Sequence, residues 1–295
     1  MTPEELIDQA KKVDAMLCTI TDKITPDFLR ECSHLKVIAQ FGVGYDNINV
    51  PEATRYGIAI GNTPGVLTDA TADTAFALLL SVARKTLYVH KQILSGNWRS
   101  FEPNRRLGIE LKGKTLGILG LGRIGTEMAR RCKGAYGMNI LYHNRSRNTE
   151  AEKELGAKLV SWDELLRDSD IVSAHCALTD ETRGIFNKDA FAKMKKTSIF
   201  INTARGPVHN EEDLYEALVL RKIWGAGLDV TNPEPMAADN PLLSMENVAV
   251  LPHIGSATIE ARSGMARLAA ENIIGYFKTG VVPNLVNPGY KSVRH

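Results

Sequence analysis

The sequence predicts an α/β protein in which a doubly wound parallel sheet is joined to a second, smaller α/β lobe. Three observations predict it. From residue 114 onward, short β-prone apolar runs alternate regularly with helical stretches. The first of these runs leads into a helix through a glycine turn, in Lys114-Thr-Leu-Gly-Ile-Leu-Gly-Leu-Gly-Arg-Ile-Gly125. Residues 1–90 show a separate alternation of helix and strand signals ahead of that point.

In chain order, Pro3–Lys12 reads as a helix capped by Thr2 with Glu5 behind it, a capping-box pattern. Ala15–Ile20, Val37–Gln40 and Ile58–Ile60 read as short buried strands. A helix begins at Thr25-Pro26, a cap followed by proline in the first turn. Asp69 to about Leu94 reads as one long helix, with Phe76, Leu80, Ala83 and Leu87 on one face. That much apolar surface is expected to lie buried between two lobes. Trp98–Glu110, which contains Pro103, is expected to be irregular. Six strands follow, at Thr115–Leu119, Asn139–Tyr142, Ile171–Ala174, Ile199–Asn202, Gly225–Leu228 and Val248–Leu251. A last helix runs from after Ser256 to about Lys278. The expected division is a substrate lobe of residues 1–94 and 268–295, a dinucleotide lobe of residues 95–267, and a cleft between them.

Bulk properties exclude several classes. A net charge of +2 offers no footprint for nucleic acid or an anionic membrane. No apolar run is long enough to span a bilayer. Cys18, Cys32, Cys132 and Cys176 show no C-x-x-C and no metal-ligand spacing. No metal site is expected, and a reducing cytoplasm is the natural compartment.

The glycine turn carries the first chemistry. Gly120, Gly122 and Gly125 fall in the order G-x-G-x-x-G between a strand and a helix. Such a turn sets a pyrophosphate against a helix N-terminus. The second strand then ends in Asn144-Arg-Ser-Arg147. An acid at its end would accept hydrogen bonds from the ribose hydroxyls and repel a 2′-phosphate. Here Asn144 replaces that acid, and Arg145, Ser146 and Arg147 suit a phosphate dianion. NADP(H) is therefore the preferred cofactor, with NAD(H) as the less selective alternative.

Three ionisable residues lie at or after later strand ends, on the side where open α/β sheets bind ligands: Arg205, Glu234 and His253. One reaction uses all three. An arginine pairs with a carboxylate and polarises the neighbouring carbonyl, and a histidine gives the proton. A carboxylate behind the histidine fixes its tautomer and favours the imidazolium.

Together these motifs resemble a known family. Gly120–Gly125, Asn202-Thr-Ala-Arg-Gly206, Gly227-Leu-Asp-Val230 with Pro233-Glu-Pro235, Leu251-Pro-His-Ile-Gly-Ser256, Phe41-Gly-Val-Gly-Tyr-Asp-Asn47 and Asn62-Thr-Pro-Gly-Val66 are similar to those of the D-isomer-specific 2-hydroxyacid dehydrogenases. The likeness spans nearly the whole chain. Pro252–Thr258, Pro241-Leu-Leu-Ser-Met245 and the Asn144–Arg147 turn bring it closest to the glyoxylate/hydroxypyruvate and 2-ketogluconate reductases.

The resemblance implies a Rossmann-type dinucleotide domain with a flavodoxin-like substrate domain, a small 2-oxo or 2-hydroxy acid as substrate, and a homodimer with residues 98–110 as its arm. It implies that Arg205 binds the substrate, that His253 is the acid/base and that Glu234 is its partner. It places Val43 and Gly44 on the substrate carboxylate and Asp229 on the nicotinamide carboxamide. It sets Thr71, Arg123, Ile124, Cys176, Thr203, Ala204 and Gly255 against the cofactor.

Two departures stand out. His209-Asn210-Glu211 replaces the family's Val-Asp-Glu, so His209 is either neutral or alters the cofactor edge. The first lobe also opens on a helix where the family supplies a strand, so an unpaired sheet edge is expected. Two other activities fit the fold: a nucleotide-sensing corepressor without catalysis, and a relative acting on another 2-hydroxy acid such as D-3-phosphoglycerate.

Overall fold

The structure is a computed structural model that describes residues 1–293. Contacts divide the chain into two units, residues 1–67 with the segment from Ala257 onward, and Thr68–Ser256. The dividing points therefore differ from the expected 94/95 and 267/268.

The smaller unit holds three parallel strands, β1 (Ala15–Cys18), β2 (Val37–Gln40) and β3 (Ala59–Gly61), in the order β1-β2-β3. Its first helix, Pro3–Ala10, has the capping box: Thr2 Oγ1 accepts from Glu5 N–H at 3.3 Å and Glu5 Oε2 accepts from Thr2 N–H at 2.8 Å. Thr25 caps Pro26–Glu31. Ile259–Thr279 packs on all three strands, most extensively on β2. Buried Asn272 on that helix donates to Asn62 O at 2.8 Å and accepts from Asn284 N–H at 2.9 Å. The C-terminal segment is thereby tied beside β3. Among the described residues the outer edge of β1 has no strand partner.

The larger unit is a seven-stranded, all-parallel sheet. Its strands are β4 (Thr115–Leu119), β5 (Asn139–His143), β6 (Lys158–Leu159), β7 (Ile171–Ala174), β8 (Ile199–Asn202), β9 (Gly225–Leu228) and β10 (Val248–Val250), in the order β10-β9-β8-β7-β4-β5-β6. The sheet has one strand more than expected. β6 is two residues long and exposed at the edge, so it has neither length nor alternation to announce it. The strand order reverses between β4 and β7, which opens a crevice at their carboxyl ends. β7, β8 and β9 are fully buried, with apolar clusters on both faces of the sheet.

The long helix expected over 69–94 is two helices, Thr68–Arg84 and Thr86–Leu94. Lys85 between them is left-handed at φ 56° and buried; it pairs with Glu246 at 3.0 Å and lies over the Trp224 ring. Ile109 N–H donates to Ala83 O at 2.9 Å, so the chain returning at Gly108-Ile109 takes up a carbonyl at the break. Thr68–Arg84 packs on the helix Arg123–Tyr136 and on β8–β10, which is why it belongs to the larger unit. Residues 98–110 form neither helix nor strand, and Trp98, Phe101 and Leu107 are exposed.

Candidate active site

The glycine turn sits at the reversal of strand order. Gly120 has φ +92°, and a Cβ there would stand 2.7 Å from Cys176 N, against the end of β7. A Cβ on Gly125 would meet Gly120 O at 2.6 Å, whereas one on Gly122 would meet nothing within 4 Å. Arg123–Tyr136 starts directly after Gly122, with Arg123 and Ile124 in its first turn and no side chain capping it. Open space in front of an uncapped helix N-terminus is the form a pyrophosphate site takes, so these residues fit a dinucleotide.

The end of β5 lies beside that turn. Asn144 Oδ1 accepts from Leu121 N–H at 2.7 Å, so Asn144 closes the glycine loop itself. Arg145 and Ser146 are exposed, and Arg147 is drawn onto Glu152, with Nη2 2.6 Å from Oε2.

Cys176 is half-buried, and burial pushes its thiol up to about 11, so it is no nucleophile at neutral pH. His175, which spacing alone did not single out, shares hydrogen bonds with Ser173 Oγ at 2.8 Å and Thr203 Oγ1 at 3.3 Å. Burial lowers it to about 4, so it is neutral. Its position just past the end of β7, next to the glycine turn, is the signal that marks it.

β8, β9 and β10 are neighbours in the sheet, so the loops after them line up. Those loops carry Arg205, Glu234 and His253. His253 Nδ1 donates to Glu234 Oε1 at 2.6 Å, the protonation that a carboxylate partner selects, which leaves Nε2 for a ligand. Burial pushes the Glu234 carboxyl up, but the His253 contact and the nearby Arg205 guanidinium outweigh it and hold it below its ordinary value. His253 is itself left-handed at φ 53°. Asp229 secures that loop: its backbone O accepts from His253 N–H at 2.9 Å, and its carboxylate oxygens accept from Ile254 and Gly255 N–H, each at 2.8 Å. Burial pushes the Asp229 carboxyl up against these donors. A Cβ on Gly255 would come within 3.2 Å of Thr71 Cγ2, so Thr71 stands at the same loop.

Arg205 is set by its turn. Its Nη1 donates to Ala204 O at 2.7 Å. A Cβ on Gly206 would overlap Thr231 O at 1.8 Å, so only glycine lets the Arg205 turn lie against the loop that carries Glu234. Buried Asn202 binds the turn from inside. Its Nδ2 donates to Arg205 O at 2.8 Å and to His209 Nδ1 at 3.0 Å, and its Oδ1 accepts from Ala204 N–H at 2.9 Å. Glu211 braces the Pro-Glu-Pro loop by accepting from Asn232 N–H at 3.1 Å and Asn240 Nδ2 at 2.7 Å. Neither Asn202 nor Glu211 was singled out by sequence reasoning, although Asn202 heads the Asn-Thr-Ala-Arg-Gly motif.

His209 is a core residue. It is 1% exposed, packs edge-on to Phe200 and accepts from Asn202, so its proton is on Nε2. Burial lowers it to about 4. His175 and His209 therefore titrate lower in the folded chain than their ordinary 6.5. Between these values the unfolded chain binds protons that the folded chain refuses, so stability falls as pH drops from about 6.5 to about 4. A shift of this size corresponds to roughly 3 kcal/mol for a fully buried group such as His209. His209→Asn keeps an acceptor for Asn202 and does not titrate. Its Tm is expected to fall less steeply than the wild type's over that window, and identical acid limbs would contradict the assignment.

Val43 and Gly44 belong to the smaller unit. Their carbonyls accept from Asn62 Nδ2 at 2.9 Å and Gln40 Nε2 at 3.1 Å. Among the described residues no protein acceptor takes their N–H groups. No cluster of metal-ligating side chains occurs among the described residues.

A family profile described as D-isomer specific 2-hydroxyacid dehydrogenase, NAD binding domain, matches residues 76–255. The chain belongs to the D-isomer specific 2-hydroxyacid dehydrogenases. It is thus an oxidoreductase that binds a nicotinamide cofactor. Among relatives in this family, a glyoxylate reductase of Thermococcus litoralis is 49% identical over 286 residues, covering 96% of this chain and 86% of the relative. A solved glyoxylate reductase of Paecilomyes thermophila superposes with TM-score 0.88 at 37% identity, covering 96% of this chain and 88% of that one. An NADPH-dependent glyoxylate/hydroxypyruvate reductase of Sinorhizobium meliloti, solved with NADP and malonate, superposes with TM-score 0.84 at 32% identity, covering 94% and 85%.

Proposed function

We propose that this dehydrogenase reduces glyoxylate and similar small 2-oxo acids to D-2-hydroxy acids, with NADPH as the preferred reductant. The observation that carries the reading is the 2.6 Å contact from His253 Nδ1 to Glu234, on loops adjoining the Arg205 turn. The relatives named glyoxylate reductase support the substrate class. The exposed Arg145 and Ser146 after β5, with no acid at Asn144, support NADPH.

A reduced nicotinamide cofactor bound at the glycine turn would supply the hydride that the carbonyl carbon takes up. Arg205 pairs with the substrate carboxylate and draws charge toward the carbonyl oxygen. The Val43 and Gly44 N–H groups are assigned to the same carboxylate. His253 Nε2 gives its proton to the developing alkoxide, and Glu234 holds the ring and stabilises its charge. Asp229, Thr71, Thr203, Ala204, Gly255 and Cys176 are assigned to the cofactor.

Oxidation of NADPH, followed by its absorbance while glyoxylate, hydroxypyruvate and 2-ketogluconate are added in turn, tests the reading. Turnover with glyoxylate, faster with NADPH than with NADH, is expected. No turnover with any of the three would overturn the substrate assignment in favour of another 2-hydroxy acid or a nucleotide-sensing role, and a higher kcat/KM with NADH would end the NADPH assignment.

We further propose a homodimer joined through residues 98–110, which expose Trp98, Phe101 and Leu107, in a reducing cytoplasm that suits four free cysteines. Light scattering should read twice the 32.4 kDa chain mass, and a monomer would refute it.

A further inference from the structure

The turn proposed to receive the 2′-phosphate carries two arginines, and they are not equivalent. Arg145 is exposed and enters no ion pair among the described residues. Arg147 is held by a carboxylate on the next helix, with Nε 3.1 Å from Glu152 Oε1 and Nη2 2.6 Å from Oε2, a two-point fork. Glu152 is not a mobile surface acid. Its side chain is 17% exposed, against 67% for Arg147. The hydroxyl of Tyr142, a fully buried residue on β5, donates to Glu152 Oε1 at 2.6 Å and accepts from Asn148 N–H at 2.9 Å. Asn148 in turn caps the helix Thr149–Leu155 that carries Glu152. The strand, the turn and the helix therefore hold this carboxylate against Arg147.

We propose that Glu152 is a specificity-determining residue: it withholds Arg147 from a 2′-phosphate, leaves Arg145 as the phosphate's principal cation, and limits the margin by which NADP is favoured over NAD. The proposal rests on the reading that the Asn144–Arg147 turn binds the 2′-phosphate. A phosphate and a carboxylate compete for the same guanidinium fork. Drawing Arg147 away also leaves the Glu152 charge beside the phosphate, which repels it. Both effects weaken binding of the phosphorylated dinucleotide, and neither touches NAD.

Calorimetric titration of the wild type, Arg145→Ala, Arg147→Ala, Glu152→Gln and the Glu152→Gln/Arg147→Ala double variant with NADP⁺ and NAD⁺ tests this. Glutamine keeps an acceptor for Tyr142 and loses the charge, and its NAD⁺ Kd and Tm report whether the fold is intact. Glu152→Gln is expected to tighten NADP⁺ by about fivefold with NAD⁺ unchanged, the scale of one partly exposed ion pair. In the Arg147→Ala background Glu152→Gln should keep only the smaller part of that gain, the part due to the removed charge, and Arg145→Ala should cost about tenfold more NADP⁺ affinity than Arg147→Ala. Weaker NADP⁺ binding by Glu152→Gln, or equal losses for the two arginine variants, would make Glu152 an orienting partner and overturn the proposal. If no variant shifts the NADP⁺/NAD⁺ ratio, the 2′-phosphate reading itself fails, and the proposal falls with it.

Discussion

His253→Gln is expected to lower kcat about a thousandfold while leaving the Kd for NADPH within about twofold, because a positioned general acid contributes roughly 10²–10⁴ in rate. Glutamine offers a hydrogen bond and no transferable proton. Every other element of the loop survives the change. Asp229 still accepts from Ile254 and Gly255 N–H, so the backbone on which the side chain stands keeps its anchors. Residue 253 sits at φ 53°, where a long unbranched side chain is less at ease than histidine or asparagine. His253→Asn, which tolerates that backbone, is the control for misfolding and should be equally slow. Steady-state rates with calorimetric cofactor affinities would decide. Turnover within about tenfold of wild type in both variants would remove His253 from the proton step.

Arg205→Lys is expected to reduce kcat/KM for glyoxylate by about a hundredfold or more, with the change shared between KM and kcat. Truncating one partner of a close, hydrogen-bonded charge pair costs about 2–5 kcal/mol, and each 1.4 kcal/mol is a factor of ten. Lysine keeps the charge but not the planar fork that grips a carboxylate at two points. The turn itself should persist, because Asn202 binds the backbone of residues 204 and 205 rather than the guanidinium, and Gly206 remains against Thr231. Cofactor affinity should therefore stay near wild type. A lysine variant with unchanged KM and kcat for 2-oxo acids would show that the substrate carboxylate is held elsewhere.

Local chemistry made most of the larger unit legible in the sequence. Strands such as Ile171–Ala174 and Ile199–Asn202 are short apolar runs bounded by polar residues, and burial on both faces leaves no other way to use them. The glycine turn was legible because Gly120 and Gly125 answer separate steric demands, while Gly122 keeps open the space a pyrophosphate needs. Arg205, Glu234 and His253 were legible by position, as residues following three strand ends, but their meeting depends on strand order, which spacing does not encode.

What was not legible shares one cause. Arg84-Lys85-Thr86 contains no glycine or proline, so nothing local signals the helix break there. Gly108-Ile109 and the Lys85–Glu246 pair make it, from residues distant in sequence. The division at Leu67 follows from the face that Thr68–Arg84 turns to β8–β10. Asn144, which stands where an acid would bind the ribose, gives its Oδ1 to Leu121 N–H, and Arg147, which suits a phosphate, is paired with Glu152. In each case a partner outside the local motif decides what the side chain does.

The account is tested most directly by a crystal structure of the enzyme with NADP⁺ and oxamate, an unreactive isostere of a 2-oxo acid. It predicts the Arg205 guanidinium on the oxamate carboxylate and His253 Nε2 about 2.6–3.2 Å from the carbonyl oxygen, with Nδ1 still on Glu234. Oxamate bound with its carboxylate away from Arg205, or His253 turned from the carbonyl, would contradict it.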